Sequence, residues 1–152
     1  MEVEEFERVY SAFRDFHAFF APAFGRKQWR EHSGHYVPAL LVQSRERRNA
    51  ENLAETVPVS ARALQRFLTE ARWVDDAVIA RLQEYLGPRL LHRLAVWVFD
   101  GSDFPKQGTK SVGVARQYCG ALGKVANCRA GVFLAHVGPR GRALVDKRLY
   151  LP

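Results

Sequence analysis

Asp100 closes the apolar run Leu94-Ala-Val-Trp-Val-Phe99, and the residues after it are basic and rich in glycine. Lys106, Lys110, Arg116 and Lys124 come interspersed with Gly108, Gly113, Gly120 and Gly123. A carboxylate at the end of a buried strand, beside such cations, is placed to hold a divalent metal against a phosphate, because hard cations take oxygen ligands and Lys and Arg take phosphate charge. The glycines let backbone approach such a ligand closely. Asp103 either approaches the same ion or caps a turn at Ser102-Asp103-Phe104, and the turn is the favoured reading. Asp146, between Val145 and Lys147-Arg148, reads as a solvent-facing strand residue. Phe104 and Tyr118 offer rings on which an extruded base could stack, although aromatics beside strands more often belong to a core. Gly123-Lys124 is no Walker A loop, since that pattern needs a glycine where Tyr118 stands.

The net charge of +7 lies wholly in residues 101–152, which carry nine Lys/Arg against only Asp103 and Asp146. A basic segment behind a charge-balanced one points to a polyanion, with DNA phosphates the favoured partner and a solubilising surface the alternative. Cys119 and Cys128 are too far apart for a CxxC zinc knuckle, and the five histidines form no ligand pair with them. With no secretory pattern at the amino terminus, this cysteine usage reads as a reducing cytoplasm. No apolar run is long enough to span a membrane, so no membrane partner is expected.

Helices come first in the elements that must carry these residues. Val3, Phe6, Val9, Tyr10, Phe13, Phe16, Phe19 and Phe20 recur at helical spacing, and Pro22 and Gly25 interrupt them. A second helix is expected to start near Pro38 and to continue through Arg45-Glu-Arg-Arg48. Asn49 to Leu68 has a helix-turn-helix rhythm: a short helix, a break at Pro58, and a helix capped by Ser60. In that last helix Ala61, Leu64, Leu68 and Ala71 form the inner face. Arg62, Gln65 and Arg66 point elsewhere and are the right types for base edges and phosphates, unless this is simply a bundle helix with its arginines in solvent. Asp75 to Leu86 forms a further helix that buries Val78, Ile79, Leu82 and Leu86 and ends at Gly87-Pro88.

After residue 93 the pattern changes to strands. Leu94–Phe99 reads as a central strand, and Ala130–Val137 and Arg142–Tyr150 as two strands joined by a tight turn at Gly138-Pro-Arg-Gly141. The expected fold is α+β: a helical, helix-turn-helix-like region over 1–90 and a sheet-forming region over 91–152.

The wording of the chain also resembles the DDE-class transposases of bacterial insertion sequences, of the cut-and-paste type. The resemblance rests on Asp100-x-Ser-x-Phe-Pro-Lys-x-Gly108, Ser111-Val-Gly-Val-Ala-Arg-Gln-Tyr118, Gly123-Lys-Val-Ala-Asn-Cys128, Arg45-Glu-Arg-Arg-Asn49, Leu64-Gln-Arg-Phe-Leu68, Arg140-Gly-Arg-Ala143 and Leu149-Tyr-Leu-Pro152. Gly101 and Asp103 depart from it, standing where an acid and a glycine are common. The resemblance implies that 91–152 are the first three strands of a ribonuclease-H-like fold. It also implies that Asp100 is the first of three acids that bind two Mg2+ ions, and that the partner is double-stranded DNA at transposon ends. The other two acids lie in the family beyond the point matching Pro152. The chain is therefore expected to be an amino-terminal portion with an incomplete site and weak or no Mg2+ binding, or else a non-catalytic DNA-binding protein derived from a truncated transposase. Self-association or pairing with an intact transposase is a further expectation.

Overall fold

The structure is a computed structural model that describes residues 3–43 and 48–152, without the side chains of Val3 and Phe6. It divides into two compact units, Met1–Arg81 and Leu82–Pro152.

The first unit is helical: α1 (Val3–Phe20), a 3-10 turn (Ala21–Ala23), α2 (Lys27–Val42), α3 (Ala50–Ala54), α4 (Ala61–Thr69) and the start of α5 (Asp75–Leu90). Phe20 is buried and touches Phe16 and Phe19, whereas Val9 and Tyr10 are exposed. Neither the helix start expected near Pro38 nor the helix end expected at Gly87-Pro88 is found. α2 begins at Lys27, well before Pro38, which lies inside it, and α5 runs through Gly87-Pro88 to Leu90. A proline inside a helix costs about 3 kcal/mol. On α2 that cost is offset by burying Trp29, Ser33 and Ala39, a face whose polar members hide it from a hydropathy pattern. The proposed continuation through Arg45–Arg48 falls mostly on residues 44–47, outside the described residues; α2 itself ends at Val42.

Asn49 and Ser60 cap α3 and α4 by accepting the amides of Asn52 (2.9 Å) and Ala63 (3.3 Å), which satisfies donors that a helix start leaves open. Ala39, Ala50, Leu53 and Leu64 form one buried cluster. Phe67 centres a second, with its ring within 6.0–6.4 Å of Phe24, Trp29, His32, Tyr36 and Trp73. The buried face of α4 is therefore Leu64 and Phe67, not Leu64, Leu68 and Ala71: Leu68 is exposed and Ala71 lies past the helix end. The aromatic ring fills the space among Trp29, Phe24 and Trp73 that a leucine one position on would miss.

The second unit is an antiparallel sheet of β1 (Val96–Pro105), β2 (Val114–Cys119), β3 (Lys124–Gly138) and β4 (Gly141–Leu149). The α+β order holds, with four strands in place of three; β2 lies in the basic, glycine-rich segment, whose loops hid it. β3 is the central strand. β1 pairs along one side of it, and β2 and β4 pair in succession along the other. Leu94–Phe99 is thus neither central nor complete as a strand: β1 is an edge strand that continues through Asp100 to Pro105. Gly123 (φ 64°) closes the β2–β3 turn and Gly141 (φ 134°) the β3–β4 turn, conformations that glycine adopts without a Cβ penalty. A bulge interrupts the β3–β4 register at Leu134/Ala135, where Leu134 faces Asp146 and Ala135 faces Leu144, so that Val145 is the extra residue.

One face of the sheet is inward. Cys119 and Cys128 are fully buried there as free thiols, His136 is buried with its ring edge-on to Trp97, and Gln83 of α5 donates to the Val145 carbonyl at 3.0 Å. Burial and the neighbouring Cys119 thiol push the Cys128 thiol up. The helix residues expected to be buried, Val78, Ile79, Leu82 and Leu86, are half-buried.

Candidate nucleic-acid interface on the sheet

Asp100 sits in the middle of β1, exposed, and its Oδ1 accepts the Gly101 amide at 2.8 Å. It does not end a buried strand, because the pairing with β3 carries on for five residues past it. Directly paired residues of an antiparallel sheet share a face and neighbours along a strand alternate. Asp100 faces Phe133, and Phe133 faces Lys147 on β4. Two residues on along β3 Gly131 faces Leu149, and two further Phe104 faces Arg129, which faces Val114. By the same alternation Arg116 and Tyr118 of β2 share this side. The Asp100 face therefore carries Arg129, Lys147, Arg116 and Arg142 as its charges besides Asp100 itself.

Of the sheet's three aspartates only Asp100 lies on this face. Asp103 is an odd number of residues away and points to the other side, where its Oδ2 accepts the Gly120 amide at 2.6 Å. It does cap a turn, but the one between β2 and β3 rather than its own, which is itself strand. Asp146 pairs with Arg148 Nη1 at 3.1 Å and is half-buried rather than open to solvent. No group of three His, Cys, Asp or Glu side chains able to hold a metal occurs among the described residues. A single carboxylate does not fit a two-metal centre, since Mg2+ keeps its water shell unless several oxygens converge.

A cavity of about 350 Å³ opens on the Asp100 face, lined by Phe104, Lys106, Arg129, Phe133, Lys147 and Leu149 among others. Lys106 reaches it just after β1, where its amide donates to the Asn127 carbonyl at 2.8 Å. Of the other cations singled out from the sequence, Lys110 lies in the loop before β2, and Lys124 starts β3 paired with Cys119, on the opposite side from Arg116. Arg129, Lys147 and Arg142 belong to the same basic third but escape a reading of glycine-flanked cations; only the register assembles them. Phe104 and Tyr118 are 43% and 66% exposed, so neither is a core residue.

The remaining candidates lie on α4. Arg62 is exposed. Gln65 donates to Glu51 Oε1 at 2.8 Å and Arg66 pairs with Glu70 Oε2 at 2.9 Å. This helix surface is therefore mixed in charge, unlike the sheet face.

The family model described as DDE superfamily endonuclease matches residues 19–152. The chain belongs to the DDE superfamily endonucleases. That membership supports a transposase- or nuclease-type function acting on DNA, in a superfamily that generally uses divalent metals. No curated protein and no solved structure matches the chain. Among the described residues no helix is long and apolar enough to cross a membrane.

Proposed function

We propose that this chain takes part in DNA transposition as a DDE transposase, with Asp100 as the first of its catalytic acids and the Asp100 sheet face turned to DNA. The observation that carries the reading is that Asp100 is, among the described residues, the only carboxylate on a sheet face that also carries Arg116, Arg129, Arg142 and Lys147, in a chain that the DDE endonuclease family covers from residue 19. On this reading residues 1–90 form the DNA-binding region, with Arg62, Gln65 and Arg66 of α4 toward transposon ends. Residues 91–152 form the opening of a ribonuclease-H-like catalytic domain. Lys106, Lys110, Arg116 and Lys124 contact phosphates, and Mg2+ is the metal, bound by Asp100 together with two further acids.

The family's other acids have no counterpart on the Asp100 face, so residues 1–152 alone bind DNA and do not cut it. That same lack favours a second reading, a non-catalytic DNA-binding protein that occupies transposon ends or pairs with an intact transposase in the cytoplasm.

Fluorescence anisotropy with double-stranded DNA across a salt series tests the DNA-facing role. Each phosphate contact adds ~0.9 to the slope of log affinity against log salt, and Lys106→Ala with Lys147→Ala should lower that slope by about two contacts' worth. A flat salt series would overturn it. Metal-dependent cleavage by this chain, abolished in Asp100→Ala, would show instead that the site is complete.

A further inference from the structure

The cavity on the Asp100 face is lined both by cations, Lys106, Arg129 and Lys147 among them, and by the aromatic rings of Phe104 and Phe133. Phe104 and Phe133 meet edge-to-face at 6.2 Å. Gly131 lies between their strand positions, and a Cβ there would come within 3.3 Å of the Phe133 ring, so glycine keeps the space beside that ring clear. Arg129, paired with Phe104 across the strands, has its Nε buried with no hydrogen-bond acceptor, a costly state for a cationic donor that an incoming phosphate oxygen would relieve. Cations alone would serve the outside of a duplex, where phosphates are presented and bases are not. Exposed aromatic rings can take a base face, and stacking of bases on aromatic side chains in a positively charged groove is how unpaired strands are held. A volume of about 350 Å³ has room for one nucleotide and not for the width of a duplex.

We infer that this cavity binds one nucleotide of an unpaired DNA strand, with its phosphate at Arg129, Lys106 and Lys147 and its base against Phe104 and Phe133. The inference rests on the DNA-facing reading of the same sheet face and adds the form of DNA it selects: an end with an unpaired strand over a blunt one. Placed so, the nucleotide lies on the same side of the sheet as Asp100.

The test compares a blunt hairpin duplex with the same duplex carrying a short thymine overhang, by anisotropy with the full chain at fixed salt. The overhang should bind more tightly. Phe104→Ala should remove that preference, weakening the overhang DNA by roughly five- to a hundredfold for a lost stacking contact. Phe104→Leu, which keeps an apolar strand residue, should behave the same way and guards against a folding defect. Arg129→Gln should weaken both DNAs. Photo-crosslinking from 5-iodouracil in the overhang should map to Phe104 or Phe133. Salt-dependent blunt binding with no overhang preference, a preference untouched by either Phe104 variant, or crosslinks confined to other residues would overturn the nucleotide site and leave the DNA-facing reading standing. Binding of neither DNA would overturn both.

Discussion

The helical unit and the sheet unit spend their aromatic residues differently. In the helical unit Phe67 is 2% exposed and surrounded by five rings, so the large side chains hold α2, α4 and the segments at Phe24 and Trp73 together. In the sheet unit Trp97, Phe99, Phe104 and Tyr118 are all more than two-fifths exposed, and the fully buried side chains are two cysteines. An exposed apolar edge strand is a template for pairing with another chain. The contrast separates a unit whose sequence is occupied with its own packing from one whose sequence leaves surface for partners.

The largest expected effect that sharpens this contrast is on stability. Phe67→Ala should cost about 3–5 kcal/mol, as for other fully buried aromatics. Phe99→Ala, on a side chain 73% exposed, should stay within about 1 kcal/mol. Urea unfolding followed by tryptophan emission measures both, and equal costs would erase the distinction. Native-state hydrogen exchange should next show slower exchange over residues 60–86 than over 94–150, and light scattering should rise with concentration as β1 edges pair. Equal protection in a strictly monomeric sample would mean that the sheet is complete as it stands.

A smaller effect concerns His17 in the helical unit. Its Nε2 lies 2.7 Å from Ser33 Oγ, which itself donates to the Arg30 carbonyl, so the ring is the donor in that pair. Burial first, and the nearby His35 second, lower its pKa below the ordinary 6.5. The unfolded chain therefore takes up the proton first. The stability associated with neutral His17 is complete above the ordinary value and is lost as pH falls from there through the depressed folded value. Melting temperature should fall across that window, and His17→Gln should flatten the fall; an unchanged profile in the variant would assign the dependence to other groups. Smallest is the effect on thiol chemistry: with Cys128 raised by burial and by Cys119, a disulfide reagent should label the native chain far more slowly than the urea-unfolded one. Rapid labelling of the native chain would mean that the inner face of the sheet opens readily.

The order of helices then strands was legible because apolar spacing changes from helical to continuous near residue 93, and the Ser60 cap and the Gly138–Gly141 turn were legible because their chemistry is local. What escaped depended on partners distant in sequence. Pro38 and Pro88 are strong local breakers that tertiary packing overrides. Phe67 rather than Leu68 turns inward to meet the rings of Phe24, Trp29 and Tyr36, which lie far back along the chain. β2 is bounded by glycine turns that read as loop. Asp100 was singled out for its type and neighbours, but its surroundings on the sheet, Phe133 and Lys147 above all, are set by strand register, which a single sequence does not spell out.

The bulge at Val145 decides the sign of the charge beside Asp100. Counting back from the turn at Gly141, a regular hairpin would set Asp146 opposite Phe133 and Arg148 opposite Gly131, so that a second carboxylate would stand on the same face, across Phe133 from the first. The one surplus residue shifts the parity, so Lys147 takes that place and Asp146 turns to the other side with Arg148 as its companion. A phosphate-attracting surface and a carboxylate pair are thus a single residue of slippage apart in the same strand. The local polarity of this sheet face is written in the number of residues in β4 as much as in their kinds.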